Sequence, residues 1–330
     1  MNQPPASFCL SRRHVLASLA GLPVMACSSG ARYVAQANDE AAGLTLHVIT
    51  TRRLVGEGKA SPFLDSSRAS RLSYLRAQLA LPDRSTLGRI GAAAIGGDFA
   101  VVSITPQSGD SIVGFSEVLR GADAMLFVHG YNQTFESAAH DVGLLGDGIG
   151  FRGAKALFTW PSRGGLLDYG YDRESALLAR DPFADVLASV TQDAFGGRLH
   201  LVAHSMGTHL TLEALRIFRD RNGDRGLDRF GAIVFAAPDI DADVFRASLE
   251  RLGSLRANIT VITATNDRAL DLSRRLAGGS RVGALPAKEL EGLGIRVIDA
   301  TEFASGLVRH DVFVANADVR AAIQRAISRA

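Results

Sequence analysis

Arg198-Leu199-His200-Leu201-Val202-Ala203-His204-Ser205-Met206-Gly207-Thr208-His209-Leu210 decides how the rest of the chain is read. It opens as an apolar, strand-like run, breaks at small residues around Ser205, and resumes as a helix through Leu215 and Phe218. A serine on a tight turn between strand and helix has its hydroxyl forced outward at the sheet's edge. Such a turn needs small residues two places to either side, because a side chain there meets the adjoining backbone. Ala203 and Gly207 meet that demand, giving A-x-S-x-G. The N–H of Met206 opens the helix without an intrahelical partner and at the positive end of its dipole, so it suits a developing oxyanion. The plainer alternative is a serine that caps an ordinary helix after a buried strand.

Working outward, continuous apolar runs at Ala124–Val128, Ala156–Thr159, Leu199–Ala203, Ala232–Ala236 and Ile259–Ala264 suit strands buried on both faces. Leu44–Thr50 and Phe99–Thr105 read as earlier strands and Ile295–Ile298 as a last one. Helical stretches fall at about 134–148, 174–194, 206–221, 241–254, 267–277 and 315–329. Residues 51–98, rich in Arg, Ser, Gly and Ala, show no period and read as an irregular excursion, either a lid or cover for a sheet edge. Strand and helix alternate from residue 99 onward, which predicts an α/β fold with a mainly parallel central sheet and helices on both faces. No composition break divides residues 44–330, so they are expected to form one domain.

The first 43 residues read differently. Arg12-Arg13 leads into a short apolar run ending at Ala26, the pattern of a twin-arginine signal peptide over 1–26. Val24-Met25-Ala26-Cys27 resembles a lipobox, which predicts cleavage before Cys27, lipidation of that residue and a tether over 27–43. A plain signal peptide cut nearby is the alternative. The expected location is the periplasm or cell envelope, with membrane attachment through the lipid on Cys27. Cys9 and Cys27 are the two cysteines, so the exported chain has no pair for an internal disulfide. With Arg12 and Arg13 set aside, 34 basic residues face 34 acidic ones, and no basic stripe points to nucleic acid. Neither C-x-x-C nor H-E-x-x-H occurs, so no metal and no cofactor is expected.

Parallel strands bring their carboxyl ends to one edge, where α/β proteins place their chemistry. The unusual polar residues sit at those ends: His129-Gly130-Tyr131-Asn132, Trp160-Pro161-Ser162-Arg163, Ser205, Ala237-Pro238-Asp239 and Asn266-Asp267, with His310 after the last strand. A serine hydroxyl needs a base near neutral pH, and histidine supplies it. His204 adjoins the serine but turns into neighbouring packing, His209 lies on the packed helix, His129 braces its own loop, and His140 sits on a solvent-leaning helix. His310, in a loop, is the expected base. The acid should follow a strand between serine and histidine, which gives Asp267, with Asp239 as rival and Asp241 behind it. An N-cap role is the alternative for Asp267. The loop after Ala124–Val128 should add a second oxyanion donor, the backbone N–H of Tyr131, with His129, Gly130, Asn132 and Asp239 supporting the loop or bordering the pocket.

Taken together, His129-Gly130-Tyr131-Asn132, Thr159-Trp160-Pro161-Ser162, Ala203-His204-Ser205-Met206-Gly207, Ala237-Pro238-Asp239 and Asn266-Asp267 resemble the α/β-hydrolase superfamily. Within it they are similar to a bacterial branch of hydrolases of undefined function, presumed esterases or lipases, some exported as lipoproteins. The resemblance spans about 44–330 and implies a triad on Ser205, Asp267 and His310. It departs from the usual pattern at Ala203, where a glycine is common, and Arg309-His310-Asp311 is a weak local signature. The expected activity is hydrolysis of a small-molecule or lipid carboxylic ester through an acyl-enzyme. An acyltransferase using the same site on an envelope glycan or lipid, and a non-catalytic anchored module, are the competing readings.

Overall fold

A central strand carrying the Ser205 turn at its end organises a nine-stranded sheet in the computed structural model, which describes residues 43–56, 61–80, 99–107, 121–163, 165–192, 197–303 and 316–330. The strands are β1 (Leu44–Leu54), β2 (Leu64–Ala80), β3 (Ala100–Pro106), β4 (Ala124–Val128), β5 (Ala154–Thr159), β6 (Leu199–His204), β7 (Phe230–Ala236), β8 (Ile259–Thr263) and β9 (Arg296–Asp299). Their spatial order is β3-β2-β1-β5-β4-β6-β7-β8-β9. From β1 across to β9 every pairing is parallel, while β1–β2 and β2–β3 are antiparallel. The helices are α1 (Phe135–Gly148), α2 (Tyr169–Gln192), α3 (Met206–Asn222), α4 (Ala242–Arg251), α5 (Arg268–Ala277) and α6 (Ala317–Ser328). The chain is thus an α/β protein with a mostly parallel central sheet.

Strands β4, β6, β7 and β8 are buried at every position, as their uninterrupted apolar composition demands. Alternate side chains feed two separate cores. Leu126, Val128, Leu201, Ala203 and Phe235 join Phe183, Leu187, Leu215 and Phe245 from α2, α3 and α4. Met125, Phe127, Val202 and Val234 join Phe135, Val142 and Ile323 from α1 and α6. Burying one such large side chain contributes about 1.5–3 kcal/mol. Capping residues set where helices begin: Thr134 for α1, Asp241 for α4, Asp267 for α5 and Asn316 for α6 each accept from an amide in the first turn.

The excursion expected over residues 51–98 is corrected in its first half. Leu64–Ala80 forms the 17-residue strand β2, paired with β1 on one side and β3 on the other. Its period of two shows in Leu75, Ala77 and Leu79, which are buried while Arg76 is exposed. Strand β1 also runs on past Thr50, and its pairing with β2 is irregular from there to Leu54. That irregularity buries Thr50, Thr51 and Arg52 in succession, breaking the alternation. The alternation of strand and helix begins with β4, since β3 belongs to the antiparallel flank.

Strand order reverses between β4 and β6. From β4 the chain moves to β5 on one side, then returns to place β6 on the other and continues outward through β9. Connections on opposite sides leave a crevice at the carboxyl ends of β4 and β6, where open α/β sheets bind ligands. Pairing of Val128 with Ala203 and of His204 with Ala236 brings the ends of β4, β6 and β7 level. Residues 1–42, including the expected signal peptide and Cys27, and residues 304–315, including His310, lie outside the described residues. Among the described residues no helix is long and apolar enough to cross a membrane.

Candidate active site

Among the described residues, three that are not glycine hold left-handed backbone, and all follow neighbouring strands at the crevice: Asn132 (φ 60°) after β4, Ser205 (φ 52°) after β6 and Ala237 (φ 46°) after β7. Such conformations cost on the order of 1–3 kcal/mol each and persist where surrounding structure compels them. At Ser205 the compulsion is visible. Its N–H donates to the Ala236 carbonyl at 2.9 Å, and its own carbonyl accepts from Thr208 at 3.0 Å and from Asp239 at 3.2 Å. Gly207 explains the small residue after the turn, because a Cβ there would lie 2.3 Å from the His129 carbonyl oxygen.

Ser205 does not act as the side-chain cap of α3: its hydroxyl makes no capping bond. The residue is only 2% exposed. The N–H of Met206 has no acceptor among the described residues.

Across the crevice, the loop after β4 is tied amide by amide. Gly130 N–H donates to the Gln133 side-chain carbonyl at 3.1 Å, Asn132 N–H to Asp172 Oδ2 at 3.4 Å, and Gln133 N–H to Ser162 Oγ at 3.2 Å. Tyr131 N–H is the exception, with no acceptor among the described residues. The Tyr131 hydroxyl donates to the Gly165 carbonyl at 2.6 Å, and its ring meets Tyr169 edge-on with centroids 5.5 Å apart. Gly130 is required by proximity, since a Cβ there would sit 2.8 Å from Ser205 Cβ.

His129 is wholly buried and spends both ring nitrogens within the scaffold. Nδ1 donates to the Gly130 carbonyl at 2.8 Å. Nε2 lies 2.9 Å from Thr159 Oγ1 and accepts from Trp160 N–H at 3.1 Å. Its ring stacks on Trp160, with centroids 4.9 Å apart. Burial, and then repulsion from the Arg52 guanidinium, push its pKa down to about 3, so the ring is neutral at ordinary pH. It is no base for Ser205.

Of the two acids, Asp239 is fully engaged. It accepts from the Ser273 hydroxyl and, at 3.2 Å, from the Tyr169 hydroxyl, while Arg281 Nε lies 3.3 Å away. Asp267 is buried, and its Oδ1 accepts from Ala269 N–H at 2.8 Å and Leu270 N–H at 3.3 Å. The N-cap alternative therefore describes Asp267 correctly for one oxygen.

Beneath the loop lies a residue that the sequence reading passed over. Arg52 is 1% exposed and donates to Thr159 Oγ1 at 2.9 Å, the Ser162 carbonyl at 3.2 Å and the Gln133 carbonyl at 2.6 Å. Burial lowers its pKa to about 10, which leaves it charged near neutrality. Asp172, on the first turn of α2, was also missed. The available signals were an arginine inside an otherwise apolar strand and an acid at a helix start. Among the described residues no cluster of His, Cys, Asp and Glu is arranged to hold a metal ion.

Residues 116–328 match the family described as "Alpha/beta hydrolase of unknown function (DUF900)". No curated protein matches the chain. Among solved structures it is similar to an acetylxylan esterase, at 13% identity over 64% of this chain and 98% of that one, with a TM-score of 0.39. It is similar to an esterase from Pyrobaculum calidifontis at 13% identity over 84% and 85%, TM-score 0.36. A Trichoderma reesei cutinase is matched at 13% identity over 64% and 76%, TM-score 0.34.

Proposed function

Since the chain belongs to the DUF900 family of α/β hydrolases, we propose that it cleaves carboxylic esters with Ser205 as nucleophile, His310 as base and Asp267 as the acid that orients the imidazole. The observation that carries this reading is a strained serine followed in the chain by Met206 N–H and packed against Gly130, the neighbour of Tyr131, with neither the Met206 nor the Tyr131 amide having an acceptor among the described residues. Backbone donors left open beside a strained serine suit an oxygen that carries negative charge only in the transition state.

In this mechanism Ser205 Oγ bonds to the ester carbonyl carbon while its proton passes to His310. The carbonyl π electrons move onto oxygen, which the two amides receive. Collapse expels the alcohol, protonated by His310, and leaves an acyl group on Ser205. Water, deprotonated by His310, then attacks the acyl carbon, releasing the acid and restoring the serine. Asp267 keeps the imidazole in the tautomer that accepts from oxygen and stabilises its cation. Asp239 is the weaker choice for this task because its oxygens are held by Ser273, Tyr169 and Arg281.

The test is covalent capture. A fluorophosphonate probe should label Ser205, with the adduct located by peptide mass spectrometry, and short p-nitrophenyl esters should turn over. Folded protein that neither takes the probe nor hydrolyses any acyl donor would end the reading. We also propose, on the Arg12-Arg13 and Val24–Cys27 motifs, that the protein is exported and lipidated at Cys27. A mature amino terminus other than diacylated Cys27 would contradict the lipid anchor.

A further inference from the structure

We propose that Asp172 is the positioning residue of the oxyanion site, holding the loop after β4 so that the Tyr131 amide faces the reacting carbonyl oxygen. The inference rests on the role given above to Tyr131 N–H. Asp172 is fully buried at the start of α2 and reaches two strand-end loops at once. From the loop after β5 it accepts the Ser162 hydroxyl and, at 2.9 Å, Arg163 N–H. From the loop after β4 it accepts Asn132 N–H at 3.4 Å, a long bond. Ser162 extends that hold, because the oxygen that donates to Asp172 also receives Gln133 N–H. Asn132 and Gln133 are therefore anchored, directly or through one hydroxyl, to a single carboxylate. With Gly130 N–H tied to the Gln133 side chain, Tyr131 is held from both sides while its own amide has no acceptor among the described residues.

A buried carboxylate close to an oxyanion would oppose catalysis unless its charge were balanced. Arg52 supplies the balance from the other side of the same loops, through the carbonyls of Ser162 and Gln133. Burial pushes the Asp172 carboxyl above the usual carboxylate range, while its hydrogen bonds and, last, the Arg52 guanidinium pull the other way. Both groups bond to the same two loops, so together they order that backbone.

Asp172→Asn keeps the shape but turns an NH2 group toward a set of donors, and Ser162→Ala removes one link without placing a charge or a clash. On the full chain, kcat and KM for a short p-nitrophenyl ester are measured beside Ki for an alkyl trifluoromethyl ketone, whose adduct with serine carries the oxyanion. For Asp172→Asn we expect kcat to fall by about 10²-fold, the loss typical of one oxyanion donor, with KM within threefold. Ki for the ketone should rise by a similar factor, and Ser162→Ala should shift both in the same direction by less. A merely structural role would lower the active fraction without separating ketone affinity from KM. If Asp172→Asn does not fold, the Ser162→Ala result decides. Wild-type turnover with both measures unchanged in the folded variants overturns the positioning role alone. A wild-type chain with no turnover and no probe labelling overturns the esterase reading, and this inference with it.

Discussion

A methyl group on Gly130 would come within 2.8 Å of Ser205 Cβ, although the two residues lie on different strand-end loops. The nearest other atom to that methyl would be His204 Nδ1 at 3.0 Å. Neither neighbour is a flexible side-chain end, so backbone must move. Gly130→Ala is expected to widen the crevice between β4 and β6, separating the Tyr131 amide from the serine. On the scale of a lost oxyanion donor, kcat/KM should fall by about 10²-fold. Steady-state kinetics on folded protein test this, and a variant with wild-type kcat/KM would mean that the loop does not serve the reacting oxygen.

Ser205 provides a stability prediction that runs against its role. At φ 52° and ψ −124° a side chain is strained and glycine is not. Ser205→Ala and Ser205→Gly should both abolish turnover, yet the glycine variant should be the more stable by about 1 kcal/mol, after its greater unfolded-state entropy is set against relief of strain. Paired denaturant melts measure the difference. Equal midpoints would show that the elbow stores no strain.

Legibility in the sequence followed burial. Strands β4, β6, β7 and β8 are covered on both faces, so their apolar runs stand out without any tertiary knowledge. Strand β2 lies in the antiparallel flank, with Arg68, Ser70, Arg71 and Arg76 exposed, and its composition imitates a loop. The rim residues were readable because each follows a strand directly. Asp172 and Arg52 were not, because their meaning lies in contacts to other elements, such as Asn132, 40 positions from Asp172, and Ser162, 110 positions from Arg52. Local pattern could mark each residue, as an arginine in an apolar strand and an acid at a helix start, but could not join them. The part assigned to His310 follows from chain order and its place in a loop after the last strand, and that residue lies outside the described residues.

Asp239 and Asp267 should separate activity from stability. Asparagine caps a helix about as well as aspartate, so Asp267→Asn should keep α5 and the fold. It should nevertheless lose on the order of 10⁴-fold in kcat, through a misoriented imidazole. Asp239→Asn instead leaves the buried Arg281 guanidinium without its counter-charge, and breaking a buried pair costs about 3–5 kcal/mol. Its folded fraction should retain more kcat than Asp267→Asn. The assignment of the acid reverses if Asp239→Asn proves stable and inactive while Asp267→Asn stays active.

His129 predicts how the protein responds to acid. Its folded pKa lies near 3 against about 6.5 for a free imidazole. The folded state therefore favours the neutral ring, and the stability this contributes is fully present above the unfolded value. It is lost as pH falls from about 6.5 toward 3, because the unfolded chain binds a proton that the buried ring refuses. Between pH 7.5 and 5 the loss from this one residue should be about 2 kcal/mol. His47, His200 and His209 are shifted in the same direction by burial, so the whole protein's acid slope contains more than one histidine. His129→Asn isolates one contribution. It should be less stable than wild type at pH 7.5, having lost the acceptor for Trp160 N–H and the stacked ring. Its deficit should then shrink by about 2 kcal/mol at pH 5, where wild type carries the linkage penalty and the variant does not. Urea unfolding of both proteins at the two pH values measures the change. A deficit that stays constant would mean that His129 takes up its proton in the folded state as readily as in the unfolded chain.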